Sequence, residues 1–192
     1  YTYGATGLLE DFTTGINAAF PGKQRYTDYI WDTARNRLAG VKVYGASTAD
    51  PLSETVYEYY GPADPAPNRL KSVSRYNRSS HGVPNQMRKT SYTYTVHPNG
   101  MIATQVEDGP RTDVADTTTY QYDSAGNLLS VTNALGHVTA FSGHNGLGLP
   151  AAVVTPDGLT RHYVYGAQGR VATESVVSGS ETRSTHYVYH RL

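Results

Sequence analysis

The stretch YQYDSAGNL, Tyr120 to Leu128, places two tyrosines two residues apart and follows them with an aspartate and a glycine. In a β-strand, residues i and i+2 point to the same face, so Tyr120 and Tyr122 share one face while Gln121 points to the other. Asp and Gly are typical turn residues. The stretch therefore predicts the end of a strand that runs into a tight turn.

This stretch is one copy of a repeat. Further copies are YTYGATGLL at Tyr1, YIWDTARNRL at Tyr29, YEYYGPADP at Tyr57, YTYTVHPNG at Tyr92, YVYGAQGRV at Tyr163 and YVYHRL at Tyr187. Six of the seven aromatic pairs contain two tyrosines and one contains Tyr29 with Trp31, so the pairs hold 13 of the 17 tyrosines. The tyrosine content is thus a property of the repeat, and we expect these rings to be structural.

A second regularity lies in the glycines of the C-terminal part. One set comprises Gly126, Gly148 and Gly169, and the other comprises Gly136, Gly158 and Gly179; both sets are spaced 22 and then 21 residues apart. The segments between them, such as LLSVTN and HVTAFS, are rich in strand-forming residues. Two turns per period predict consecutive antiparallel strands, so the repeat unit is a β-hairpin and the fold is all-β.

The repeats differ in regularity along the chain. From 120 to 192 the period is about 21–22 residues, whereas from 1 to 119 the aromatic pairs lie 28 to 35 residues apart. The additional residues fall in loop-like segments such as GPADPAPN and NRSSHGVPN. No linker divides the chain, so we expect one repeat segment over 1–192, with degenerate repeats over 1–119 and regular repeats over 120–192.

Charge and composition argue against several kinds of partner. Lys and Arg total 16 and Asp and Glu total 16, which leaves no net positive charge to attract nucleic acid or an anionic membrane. There is no cysteine, and no apolar run approaches the roughly 20 residues of a membrane-spanning helix. We therefore expect neither nucleic-acid binding nor membrane insertion.

Residues that could carry chemistry have a structural explanation. His186 and His190 have the spacing of two metal ligands on a helix, but in a strand they would lie about 13 Å apart. Asp32 and Asp123 each follow an aromatic pair, where an aspartate accepts hydrogen bonds from turn N–H groups. No nucleophile elbow and no phosphate-binding glycine loop is present in the sequence. The sequence predicts no catalytic residue, cofactor or metal.

A basic stretch and an acidic stretch follow one another in the middle of the chain. The basic residues are Arg69, Lys71, Arg75, Arg78, Arg88 and Lys89, and the acidic residues are Glu107, Asp108, Asp113 and Asp116. The basic stretch is either a contact surface for cargo or a partner, or a solvated face that protects the sheet from edge-to-edge association.

The repeated motif resembles the YD repeat of the Rhs family, in which a tyrosine pair is followed by Asp, two variable residues, Gly, a basic or polar residue and Leu. YQYDSAGNL follows this pattern nearly throughout, YVYGAQGRV has Gly166 in place of Asp, and YIWDTARNRL has Arg35 where Gly is expected. FSGHNGLGLP, Phe141 to Pro150, resembles the variant ending in Gly-Leu-Pro.

The resemblance implies a large protein whose hairpins form a spirally wound sheet or hollow shell, with this chain as a fragment. Such shells enclose a polymorphic toxin for secretion or injection from bacteria, including type VI secretion effectors, and related repeats stand outside animal cells. The implied partners are the remainder of the same polypeptide, its toxin domain and secretion machinery. The alternative is an extracellular or cell-surface adhesion module whose exposed tyrosines bind carbohydrate.

The resemblance assigns a structural role to the repeated positions. They are Tyr1, Tyr3, Gly7, Tyr29, Trp31, Asp32, Tyr57, Tyr59, Tyr92, Tyr94, Tyr120, Tyr122, Asp123, Gly126, Gly148, Tyr163, Tyr165, Gly169, Tyr187 and Tyr189. We expect Tyr120, Tyr122, Tyr163 and Tyr165 to lie on one sheet face and to contact aromatic rings of adjacent repeats, with buried hydroxyls hydrogen-bonded.

Overall fold

A computed structural model describes residues 1–14, 25–47 and 49–190. Within these ranges there are fifteen β-strands and no helix. The strands follow one another in the sheet in chain order and pair antiparallel. The predicted all-β fold of consecutive hairpins is confirmed.

The chain forms two compact units. The first unit contains Tyr1–Tyr92 and Gly109–Thr112, and the second contains Thr93–Asp108 and Asp113–Leu192. The first unit contains β1 (Thr2–Tyr3), β2 (Leu9–Thr14), β3 (Arg25–Asp32), β4 (Arg37–Tyr44), β5 (Pro51–Tyr59), β6 (Leu70–Asn77) and the start of β7 (Met87–Val96). The second contains the end of β7 and β8 (Ile102–Asp108), β9 (Thr117–Tyr122), β10 (Leu128–Thr132), β11 (Val138–Ser142), β12 (Ala152–Val154), β13 (Thr160–Tyr165), β14 (Val171–Ser178) and β15 (Glu181–His186).

The turns of the second unit lie where the glycine spacing predicts them. The six glycines of the two sets have φ between 59° and 89°, a left-handed conformation that is strained for residues with a Cβ. At the β9–β10 turn, the Asp123 N–H donates to the Asn127 C=O and the Gly126 N–H donates to the Asp123 C=O. The same two bonds recur in the turns beginning at His97, Asn133, Asn145, Thr155 and Gly166. Each turn therefore reverses the chain with one left-handed residue.

In the first unit asparagine takes a left-handed position in each of three longer turns, one of which also contains the left-handed Gly82. Asn36, Asn68 and Asn85 have φ of 50°, 62° and 59°. The left-handed residue of the turn after β3 is thus Asn36, one position after Arg35, whose N–H donates to the Asp32 C=O as the Gly126 N–H donates to the Asp123 C=O. Trp31 pairs with Leu38, seven residues on, whereas Tyr122 pairs with Leu128, six residues on. The turn after β3 thus contains one more residue, and asparagine is the side chain that best tolerates this conformation.

Few side chains are fully buried. Among the described residues the buried apolar side chains are Ala66 and Val73, and the buried polar ones are Ser72 and Ser74. Most strand residues are half-buried, as expected where each side chain is shielded mainly by side chains of the adjacent strands. The stability of each unit therefore depends on strand-to-strand hydrogen bonds and cross-strand side-chain pairs.

Candidate functional site, an aromatic ladder across the repeats

The second aromatic residue of five of the seven pairs lies at a β-bulge. The partner strand carries one extra residue at this point, so the second aromatic faces the apolar residue that ends its own motif. These pairs are Tyr3 with Leu9, Trp31 with Leu38, Tyr59 with Leu70, Tyr122 with Leu128 and Tyr165 with Val171. Bulges increase local twist and redirect side chains. A bulge repeated at one motif position indicates that it belongs to the repeat.

The second aromatic also reaches back to the preceding repeat. In the first unit the Trp31 Nε1–H donates to the Leu9 C=O at 2.9 Å, and the Tyr59 hydroxyl donates to the Leu38 C=O at 2.7 Å. Because Leu9 and Leu38 end the motifs of the preceding repeats, each ring lies between the apolar residue of its own repeat and that of the repeat before it. We call this arrangement the aromatic ladder.

The second unit builds the same ladder. The Tyr165 hydroxyl donates to the Pro150 C=O at 2.8 Å, and the Tyr189 hydroxyl donates to the Val171 C=O at 3.0 Å. Pro150 ends the variant motif FSGHNGLGLP, so it takes the place of leucine in this bond. The hydrogen bond uses a backbone carbonyl, which explains why the apolar residue can vary.

The phenols of the ladder are partly withdrawn from water. Burial raises the pKa of Tyr165, and a neighbouring tyrosine adds a smaller contribution; the same two effects raise the pKa of Tyr122, which holds the equivalent motif position. Burial also raises the pKa of Tyr59, although the guanidinium of Arg37, 4.4 Å from the ring centroid, opposes the shift. A half-buried phenol that donates to a backbone carbonyl satisfies its own polar group while it joins two repeats.

The first aromatic residue of a pair has different contacts. The Tyr163 and Tyr165 rings stack within one pair, with centroids 6.2 Å apart and planes inclined by 27°. The Tyr187 hydroxyl donates to Glu174 Oε2 at 3.1 Å, and that carboxylate also accepts from Arg161. Tyr163 and Tyr165 thus stack within their own pair. Contacts to the preceding repeat are made by the hydroxyl or indole N–H of the second aromatic residue.

Asp123 organises the turn that follows the aromatic pair. Its Oδ1 accepts from the backbone N–H groups of Ala125 and Asn127, and its Oδ2 accepts from Asn127 Nδ2. The hydrogen bonds from the Asn127 side chain and backbone, with a smaller one from Ala125, hold the pKa of Asp123 below its ordinary value. The side-chain oxygens of Asn133 and Asn145 accept the equivalent backbone bonds in their own turns.

Asp32 stabilises its turn by accepting hydrogen bonds from arginine side chains instead. Burial raises the pKa of Asp32, but hydrogen bonds from Arg37 and Arg35 to its Oδ2 outweigh this effect and the net shift is downward. The Arg37 guanidinium also lies over the Tyr59 ring, so one cation links the turn to the ladder. In both turns the aspartate satisfies donors of its own hairpin.

The terminal copies of the motif are more exposed than the central ones. Tyr1 and Tyr3 are 79% and 62% exposed, and Gly7 forms the turn between β1 and β2 with φ of 75°. At the other end β15 stops at His186, so Tyr187 and Tyr189 lie beyond the last strand rather than within one. The Tyr187 N–H nevertheless donates to the Ala172 C=O at 2.9 Å.

Other kinds of site find no support in the described part of the chain. No group of three or more His, Asp or Glu side chains there is placed to hold a metal ion. None of the described residues belongs to a helix of sufficient length and apolarity to cross a membrane. An open depression of about 720 Å³ lies beside Tyr189 and Arg170, whose guanidinium is 5.3 Å from the tyrosine ring centroid.

The sequence did not reveal the bulge or the carbonyl acceptors. A register shift leaves no compositional mark, and every residue has a carbonyl group. One signal in the sequence does mark the irregular repeats: the tripeptide Asn-Arg-Leu runs from Asn36 to Leu38 and again from Asn68 to Leu70. This tripeptide identifies the left-handed residue and the apolar partner in the irregular repeats.

These features define an antiparallel hairpin-repeat protein in which aromatic residues join successive hairpins. Residues 104–140 match the family model described as RHS Repeat. The match confirms the resemblance to the Rhs and YD-repeat family, and it covers β9, β10 and most of the two flanking strands. No curated protein matches the chain.

Solved structures similar to this chain include assemblies of TcdB2 and TccC3. The crystal structure of TcdB2-TccC3-Cdc42 covers 88% of this chain at 13% identity with a TM-score of 0.33. The structure of TcdB2-TccC3 without its hypervariable C-terminal region covers 89% at 12% identity with a TM-score of 0.34. A Photorhabdus luminescens Tc holotoxin pore covers 88% at 11% identity with a TM-score of 0.26. This chain spans 11%, 11% and 13% of the length of those three chains.

Proposed function

We propose that this chain is a structural wall segment of an Rhs-type shell that encloses a toxin carried on the same polypeptide. The supporting observation is the aromatic ladder, in which the second aromatic of one repeat donates to a carbonyl of the preceding repeat. Trp31, Tyr59, Tyr165 and Tyr189 make such bonds. Hydrogen bonds that join each hairpin to the one before it are expected of an extended wall of repeats rather than of a single binding pocket.

The energetics fit a wall as well. A repeat of this kind cannot bury an apolar face alone, so its stability comes from its neighbours. The scarcity of fully buried side chains agrees with a sheet whose strength lies in the plane of the strands. Cargo would be kept from solvent by the continuity of the sheet and not by a tight binding site.

The proposal includes role, partners and location. The segment has no catalytic activity of its own, and its partners are further repeats, the enclosed toxin domain and the secretion machinery that delivers the protein. The location is outside the producing bacterium, either secreted or injected into a competitor or host cell.

Carbohydrate binding is the alternative function. It requires exposed aromatic platforms, but the rings of Tyr59 and Tyr165 are half-buried and their hydroxyls are engaged. Tyr187 and Tyr189 are more open, at 41% and 51% exposure. The ladder accounts for the central aromatic pairs, so we favour the wall segment.

Protease protection in the natural full-length polypeptide tests the proposal. We expect the domain that follows the repeats to resist a protease added outside the intact protein and to become sensitive when Tyr59 and Tyr165 are both changed to Ala. The Phe variants at the same positions retain the rings and are the matched control. A downstream domain that is cleaved equally in wild type and variants would contradict the shell, and retention of wild type on a glycan array would favour the alternative.

A further inference from the structure

Two arginines of the basic stretch stand directly opposite each other on neighbouring strands. Arg75 of β6 pairs with Arg88 of β7, and both side chains are exposed. Directly opposite residues share a sheet face, with Cβ atoms about 4.5–5.5 Å apart. Like charges in this arrangement destabilise a sheet unless something neutralises them.

No carboxylate neutralises this pair in the described part of the chain. Neither arginine takes part in an ion pair there. On the other flank Arg75 faces Thr55 of β5, whose neighbours on that face of the strand are Ser53 and Tyr57. The row that crosses β5, β6 and β7 is therefore Thr55, Arg75 and Arg88.

The other cations of the basic stretch provide the contrast. Arg78 contacts Glu54 at 2.6 Å, and Lys89 contacts Glu58 at 3.4 Å. Glu54 and Glu58 alternate with Thr55, so they belong to the opposite sheet face. Lys71 lies over the Tyr60 ring, 5.7 Å from its centroid. Glu54 and Glu58 thus neutralise cations on one face, and neither forms an ion pair with the arginines on the other.

We infer that Arg75 and Arg88 form a docking surface for an acidic polypeptide segment. Guanidinium groups bind carboxylates through paired N–H donors, and two adjacent ones can engage two carboxylates at once. An extended peptide presents side chains i and i+2 on one side about 6.6–6.8 Å apart, a span that two neighbouring arginines can bridge. The Thr55 hydroxyl supplies a further hydrogen-bonding group beside them. Tyr57, an aromatic residue on this face of β5, is half-buried and offers a sugar ring no fully exposed platform.

This inference stands apart from the shell proposal, because it rests on the arginine pair alone. The test uses the full chain immobilised at low density, which avoids self-association, and measures binding of a peptide of alternating Glu and Ser in a low-salt buffer. The same peptide with Gln in place of Glu, inorganic phosphate and a heparin fragment are the comparison probes.

We expect the Glu peptide to bind, the Gln peptide not to bind, and added salt to weaken the interaction. The double variant Arg75→Gln/Arg88→Gln should lose affinity by about tenfold or more, the equivalent of about 1.4 kcal/mol. Arg25→Gln/Arg183→Gln removes the same charge from exposed positions elsewhere and should leave affinity unchanged.

Melting temperature provides a second readout that does not require a ligand. Because the pair is repulsive when empty, either single variant, Arg75→Gln or Arg88→Gln, should melt above wild type. A lower melting temperature in both would overturn the inference, since it would show that the pair stabilises the fold. Absence of Glu-peptide binding, equal loss in the control double variant, or binding of heparin or phosphate without the Glu peptide would also overturn it.

Discussion

The irregular repeats of residues 25–92 and the regular repeats of residues 120–190 form their turns with different residues but join their hairpins through the same kind of hydrogen bond. The regular part uses glycine at each left-handed position, whereas the irregular part uses asparagine in three loops of different lengths, with Gly82 as an additional left-handed residue in one of them. In both parts the second tyrosine donates to a carbonyl of the preceding repeat, from Tyr59 to Leu38 and from Tyr165 to Pro150. The bond between repeats is therefore retained where the turn is not.

The physical reason lies in what each feature requires. A turn needs one residue that tolerates positive φ, and both glycine and asparagine meet that need at little cost. The ladder needs a long aromatic side chain with a polar hydrogen at its tip, which tyrosine and tryptophan provide. Fewer residues satisfy the second requirement than the first, so turns can diverge while the aromatic position persists.

Removal of a ladder ring should have the largest effect. Tyr59→Ala and Tyr165→Ala should each destabilise the protein by about 2 kcal/mol, roughly half the cost of truncating a fully buried aromatic ring. The Phe variants, which lose only the hydroxyl bond, should cost about 1 kcal/mol. Denaturant unfolding of the four variants measures this. A loss at Tyr165 without a matching loss at Tyr59 would show that the irregular repeats do not depend on the ladder.

Turn substitutions should have the next largest effect. A Cβ on Gly136 or Gly158 meets no neighbouring atom, so an alanine there reports backbone strain alone. We expect Gly136→Ala and Gly158→Ala to cost about 1–2 kcal/mol each, and Gly136→Asn to cost less. Asn36→Gly should be nearly neutral. If Gly136→Asn proved as costly as Gly136→Ala in thermal unfolding, asparagine and glycine would not be equivalent in the two regions.

The acidic turn should add a pH-dependent contribution. Because the folded-state pKa of Asp123 is lowered, its contribution to stability is complete above the unfolded value of about 3.9 and is lost as pH falls through the folded value. Asp123→Asn keeps the oxygen that accepts the backbone N–H groups, as in the Asn133 turn, but does not titrate. Stability curves should therefore converge for wild type and variant as the pH drops below about 4. Parallel curves would contradict the assignment.

Cross-strand ion pairs should have the smallest effect. Arg161 to Glu174 in the regular part and Arg78 to Glu54 in the irregular part both measure 2.6 Å, and each includes an arginine that is partly exposed. Exposed pairs contribute little and are screened by salt. We expect Glu174→Gln and Glu54→Gln to lower the melting temperature slightly at low salt and not at high salt. A loss that persists at high salt would indicate a role beyond charge.

The regular strands and turns could be read from the sequence because their signals are local. The segments LLSVTN and HVTAFS became β10 and β11, and each glycine of the two spaced sets became a left-handed turn residue. In the irregular repeat the left-handed residue is Asn36 and not Arg35, which stands where the motif has glycine, because loop length is set by the pairing between Trp31 and Leu38 and not by composition. The aromatic pairs were recognised as a repeat, but their acceptors were not.

The sequence by itself determined the all-β hairpin repeat, since alternation and turn chemistry are properties of neighbouring residues. The tertiary structure alone decided which carbonyl each aromatic residue meets, because residues 15 to 22 positions apart come together only after the strands have paired with their bulges. It also decided which charges are neutralised. Glu54 and Glu58 compensate the cations on their own face, and the pleat of the sheet keeps them away from Arg75 and Arg88.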